Sequence, residues 1–188
     1  MPASTARPTI ERPTKGAKTS GKSVTKSILN IDAEMFRDDE RFASALEALD
    51  RGDFGRAERA LSDLLSIESE SDRRAFLLNK RGVARVGLER RDLAESDFRE
   101  ALEARPRYAP ALTNLGNVLL EQGRVEQAIA SYERAITADD GYALAYWNLG
   151  AAYKRAGRIS ESVRALRRAQ RLATSASAAR SWRRAPRR

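Results

Sequence analysis

Residues 16–23 read GAKTSGKS, which sets Gly16, Gly21, Lys22 and Ser23 at the spacing of a phosphate-binding loop. In such a loop backbone N–H groups surround a phosphate, the lysine reaches it and the hydroxyl binds Mg²⁺. That chemistry needs a buried strand to deliver the chain and a helix to carry it away. The preceding residues, PTIERPTK, hold two prolines and little β-branched apolar content. Nothing further on reads as an apolar strand ending in the Asp that would hold the metal. The octapeptide is built from Gly, Lys, Ser, Thr and Ala, so composition alone explains the match, and it reads as a basic arm.

Other chemistry is narrowed by what is missing. The chain has no Cys and no His. Disulfides, thiolate metal sites, zinc hydrolases and Ser-His-Asp hydrolases are therefore excluded. Asp139 and Asp140 precede Gly141 and read as turn residues, not as paired catalytic carboxylates. No catalytic residue, metal site or cofactor is expected, and the chain reads as a non-enzyme.

Charge is unevenly placed in the 188 residues. Residues 1–26 hold Arg7, Arg12, Lys15, Lys18, Lys22 and Lys26 against Glu11, a net +5. Residues 177–188 hold Arg180, Arg183, Arg184, Arg187 and Arg188 with no acid, again +5. Between them 24 basic groups meet 25 acidic ones, so the body is nearly balanced. Residues 1–27 have almost no large apolar side chains and should be disordered, because they bury too little to offset chain entropy. No apolar run approaches the roughly 18 residues of a membrane span, and no apolar segment backs a secretory signal, so the expected location is cytoplasmic.

What remains must be positioned by helices, and one interval organises them. Gly82, Gly116 and Gly150 recur every 34 residues, as do Phe98, Tyr132 and Leu166, and Ala101, Ala135 and Ala169. A period of this length marks stacked supersecondary units. Small residues where two helices cross let the axes approach, and large ones fill the space beside them.

In period and order of residue types the chain resembles a tetratricopeptide (TPR) array. The resemblance implies an all-α, right-handed solenoid of helical hairpins, each an A helix followed by a B helix. The units fall at 75–108, 109–142 and 143–176. The family's bulky fourth position is met by Leu78, Leu112 and Tyr146, and its small twentieth by Ala94, Ala128 and Ser162. A divergent unit is placed at 38–71. There Gly52, Phe54, Ala57, Leu61 and Leu64 echo Gly123, Val125, Ala128, Tyr132 and Ala135 at an offset of 71, with three residues inserted in the polar stretch near 69–72. The array thus runs from 28 to 176. One departure stands out: Arg81 and Arg85 occupy positions seven and eleven, where the family is apolar. Their stems are expected to cover apolar surface while the heads reach water.

The resemblance also implies a concave face lined by A-helix positions two, five, six, nine and twelve. It assigns Phe76, Asn79, Lys80 and Val83 in the first regular unit. It assigns Thr113, Asn114, Asn117 and Leu120 in the second, and Leu144, Trp147, Asn148, Ala151 and Lys154 in the third. An Asn amide both donates and accepts, so it can hold a peptide backbone whatever the side chains. Asn114 and Asn148 are similar to the asparagine ladder of O-linked N-acetylglucosamine transferases; the alternative is that they satisfy local polarity. Trp147 is either a groove contact or packed on a neighbouring A helix. Lys80, Asn117, Lys154 and Arg155 superficially resemble a carboxylate clamp, but their spacing departs from that pattern. The C-terminal stretch around Trp182 is either a short helix capping the array or a basic tail for nucleic acid or an acidic partner. The expected function is a non-catalytic adaptor that holds a peptide or helix of a partner protein. The alternative is nucleic-acid or acidic-partner binding through the two tails.

Overall fold

The computed structural model describes Phe36 and residues 39–184, with side chains through Ser175. Among these residues there are eight helices and no strand. They are α1 Glu40–Arg51, α2 Phe54–Ile67, α3 Ser71–Gly87, α4 Arg91–Ala104, α5 Ala109–Glu121, α6 Val125–Ala138, α7 Ala143–Arg155 and α8 Ile159–Arg184. They pair in order as hairpins, and each hairpin packs on the next, giving a helical solenoid. GAKTSGKS and the basic groups Lys15, Lys18, Lys22 and Lys26 lie outside the described residues, as do Arg187 and Arg188. The side chains of Arg180, Trp182, Arg183 and Arg184 do as well.

Local chemistry fixes where the helices begin and turn. Asp39 caps α1 by accepting from the N–H groups of Arg41 at 3.0 Å and Phe42 at 3.3 Å. Asp53 caps α2 by accepting from the N–H of Arg56 at 3.1 Å. Between the two helices of each hairpin one residue takes a left-handed conformation: Gly52 at φ 80°, Glu89 at 59°, Gly123 at 79° and Gly157 at 76°. Glu89 is the non-glycine of this set, and a side chain there costs about 1 kcal/mol. Glu89→Gly should therefore raise stability by up to about 1 kcal/mol, reduced by glycine's greater freedom in the unfolded chain. A denaturation midpoint that stays put or falls would contradict this.

The 34-residue columns meet in space. An added Cβ on Gly82 would stand 2.5 Å from the Phe98 ring, and one on Gly116 2.5 Å from the Tyr132 ring. On Gly150 it would stand 2.7 Å from the Leu166 side chain. At these three crossings the A and B helices lie so close that no room is left for a methyl group. A fourth crossing lies outside the periodic pattern: Gly87, at the end of α3, faces the Phe54 ring of α2.

Near α3 the structure adds one detail and corrects one expectation. Ser71 and Asp72, in the polar stretch near 69–72, form the first turn of α3, which reaches 17 residues against 13 for α5. Ser71 Oγ donates to the Ala104 carbonyl at 2.9 Å, tying that turn to α4. The heads of Arg81 and Arg85 turn inward to carboxylates and not outward to bulk water. Arg81 grips Asp97 with Nη2 at 2.7 Å and Nε at 3.1 Å. Arg85 meets Asp97 at 2.8 Å and Glu58 at 3.0 Å, and Arg90 joins Glu58 at 2.7 Å. Asp97 is 1% exposed, and burial pushes its carboxyl up against the pull of the guanidiniums. An acid held in α4 thus draws both arginines inward, and an ionic cluster joins α2, α3 and α4.

Candidate functional site

Helices α3, α5 and α7 are the A helices of successive hairpins, and they carry the predicted groove residues in three neighbouring rows. The middle of each row stays accessible: Lys80, Asn114, Asn117, Leu120 and Asn148 are half-buried, and Val83, Ala151 and Lys154 are exposed. Lys80 and Lys154 are the charges of the predicted set, with no carboxylate among it.

The amides are ordered by one another. Asn114 Nδ2 donates to Asn79 Oδ1 at 2.9 Å, linking α5 to α3. Asn148 Nδ2 donates to Asn117 Oδ1 at 2.8 Å, linking α7 to α5. Tyr132 Oη donates to the same Asn117 oxygen at 2.8 Å. Burial pushes the Tyr132 phenol up, so it stays a donor. Each linking bond uses one N–H of its donor amide. Asn114 and Asn148 each keep a second N–H and a carbonyl as bonding capacity.

Some predicted residues are placed elsewhere. Phe76 is buried under Phe36 and Phe42, with ring centroids 5.7 and 5.6 Å away, while Phe36 stacks on Phe42 at 4.2 Å. Asn79 and Thr113 are also buried, because the next A helix covers them, so they offer a ligand no surface. Leu144 and Trp147 are exposed, Trp147 at 55%. Trp147 is the third-unit counterpart of Asn79 and Thr113, and among the described residues no further hairpin follows to cover it.

The clamp-like set does not assemble. Lys80 Nζ sits 5.1 Å from the centre of the Phe76 ring, and Arg155 Nη1 donates to the Leu120 carbonyl at 2.8 Å. Asn117 is committed to Tyr132 and Asn148. Among the described residues no group of acidic side chains gathers to hold a metal ion, and no helix is long and apolar enough to cross a membrane.

Sequence reasoning missed Phe36, which precedes α1 and belongs to no periodic column. It also missed the Tyr132 hydroxyl, whose column was visible only as bulk.

Family models of tetratricopeptide repeats match residues 98–130, 116–157 and 143–175. The chain is a tetratricopeptide-repeat protein. No curated protein matches the sequence. Among solved structures, a crystal structure of MamA aligns over 81% of this TPR chain and 90% of its own, with a TM-score of 0.64 at 20% identity. The MamA 41-end structure from Desulfovibrio magneticus RS-1 covers 75% of each chain, with a TM-score of 0.60 at 26% identity. The second TPR of Spaghetti (RPAP3), bound to an HSP90 peptide, aligns over 54% of this chain and 94% of its own, with a TM-score of 0.52 at 20% identity. The TPR fold is that of a protein-interaction module.

Proposed function

We propose that this TPR protein is a non-catalytic cytoplasmic adaptor whose concave face holds an extended peptide of a partner protein. The observation that carries the reading is the amide row Asn114, Asn117 and Asn148. Its hydrogen bonds to Asn79 and Tyr132 fix the amides before any ligand arrives. A fixed amide loses little freedom on binding, and its spare N–H and carbonyl match a peptide backbone. Val83, Leu120 and Ala151 add apolar contact along the row, and Lys80 and Lys154 favour a peptide with acidic side chains. The RPAP3 repeats bound to the HSP90 peptide SRMEEVD are a precedent in the same fold.

The test needs variants that spare the fold. Asn114→Ala would strip the buried Asn79 oxygen of its donor, whereas Asn148→Ala leaves Asn117 still bonded to Tyr132. Val83 is exposed, so Val83→Asp alters the groove at little structural cost. Peptides selected on the wild-type chain from a random display library should bind Asn148→Ala/Val83→Asp at least about tenfold more weakly, a loss of about 1.4 kcal/mol. The melting curve should hold. Selected peptides that bind the variant equally well, or a selection that enriches none, would sink the reading.

A further inference from the structure

The two ends of the solenoid differ in shape and in charge. At the C-terminal end, α7 and α8 present side chains that earlier units bury under the next hairpin. Trp147 is 55% exposed where its counterpart Thr113 is fully covered, and Val163 is 41% exposed where Ile129 is 3%. Leu144 and Ile159 are exposed beside them. The 26-residue α8 runs on to Arg184. Residues 143–175 carry seven basic side chains and one acidic, a net +6.

The N-terminal end is the complement. Residues 39–70 carry nine acidic side chains and four basic, a net −5. Glu58 faces α3, and the residues on the opposite side of α1 and α2 form a cavity of about 400 Å³ lined by Glu40, Arg41, Ser44, Ala60, Asp63 and Leu64. Ala60 and Leu64 give it an apolar floor, Glu40 and Asp63 an acidic rim, and Arg41 a guanidinium that can stack on an aromatic ring.

We propose that the exposed C-terminal end of one copy docks on the N-terminal end of a second, with Trp147 entering the cavity between α1 and α2. The occupant is argued from both ends. The end of a TPR array accepts another helical hairpin of the same kind, and this chain's own first hairpin offers a hollow for an indole. Two C-terminal ends would bring like charges of +6 together, which disfavours a symmetric pairing through Trp147. A head-to-tail contact uses different patches on the two partners and leaves a free end on each, so it propagates into open chains. This goes beyond the groove reading and shares no residue with its test.

The full-length chain is tested by sedimentation velocity over a range of concentrations. The wild type should give weight-average masses above the monomer that grow with concentration and shrink as salt is raised to about 0.5 M. Trp147→Glu should weaken association at least tenfold, and so should the exposed double change Glu40→Lys/Asp63→Lys. Mixing the two variants should restore a dimer of one copy of each, because one keeps an intact tail end and the other an intact head end. A monomeric wild type at every concentration would overturn the proposal. So would association of Glu40→Lys/Asp63→Lys at wild-type strength, which is the signature of tail-to-tail pairing, or a mixture that stays monomeric.

Discussion

Replacing Asp97 by alanine is expected to lower folding stability by about 3–5 kcal/mol, the cost of removing one partner from a buried charge cluster. Asp97 accepts two bonds from Arg81 and pairs with Arg85, whose side chains are only 17% and 15% exposed. Without it Arg85 keeps Glu58, while Arg81 is left with the Ser62 hydroxyl at 3.4 Å. The charges, once buried, depend on each other, but the fold does not require them. At the equivalent junction between α6 and the last hairpin, Ile129, Leu149, Tyr153 and Ala165 stand in place of Glu58, Arg81, Arg85 and Asp97, and they pack as ordinary core. Transplanting that set (Glu58→Ile, Arg81→Leu, Arg85→Tyr, Asp97→Ala) should restore wild-type stability or exceed it by about 1–4 kcal/mol. Urea unfolding of the single variant, the fourfold variant and the wild type decides it. A single variant within about 0.5 kcal/mol of wild type, in the range of an ordinary surface change, would show the cluster to be solvated.

This cluster also shows where the sequence stops being informative. Arg81 and Arg85 stand out as charged residues in apolar columns, so something unusual at the first junction is legible. Their direction is not, because it depends on Asp97, whose counterparts Ser131 and Ala165 suggest no buried acid. Periodicity reports what every unit shares, and the glycine and aromatic columns were readable for that reason. Gly87 against Phe54 occurs once and leaves no period. The ends of an array are likewise outside the pattern. The frame puts Trp147 level with Thr113 and Asn79, yet those are buried only because another hairpin follows. Phe36 packs on Phe42 and Phe76 from a position before the first helix. The amide row lies between these cases. The 34-residue step from Asn114 to Asn148 is visible in the sequence, but the bonds run to Asn79 and Asn117, positions that the period does not equate.

Gly116→Ala is expected to destabilise the protein by about 1–3 kcal/mol, although alanine is the better helix former by about 1 kcal/mol. The added methyl would meet the Tyr132 ring at 2.5 Å. The ring has nowhere to go: Tyr132 is fully buried, and its hydroxyl is held by Asn117 Oδ1. Any shift that relieves the clash pulls on the oxygen that also accepts from Asn148, so the damage should spread to the concave face. Gly82→Ala should behave alike against the Phe98 ring, which is fully buried as well. Gly150→Ala should be milder, because it meets the branched, half-buried Leu166, whose side chain can rotate aside. Combining Gly116→Ala with Tyr132→Leu should lose less than the sum of the two single losses, since the smaller side chain vacates the space the methyl needs. Thermal and urea melts of the three alanine variants and the double variant test the crossing directly. If Gly116→Ala melts at or above wild type, helix propensity has won, and the close approach of α5 and α6 is not what the glycine column is for.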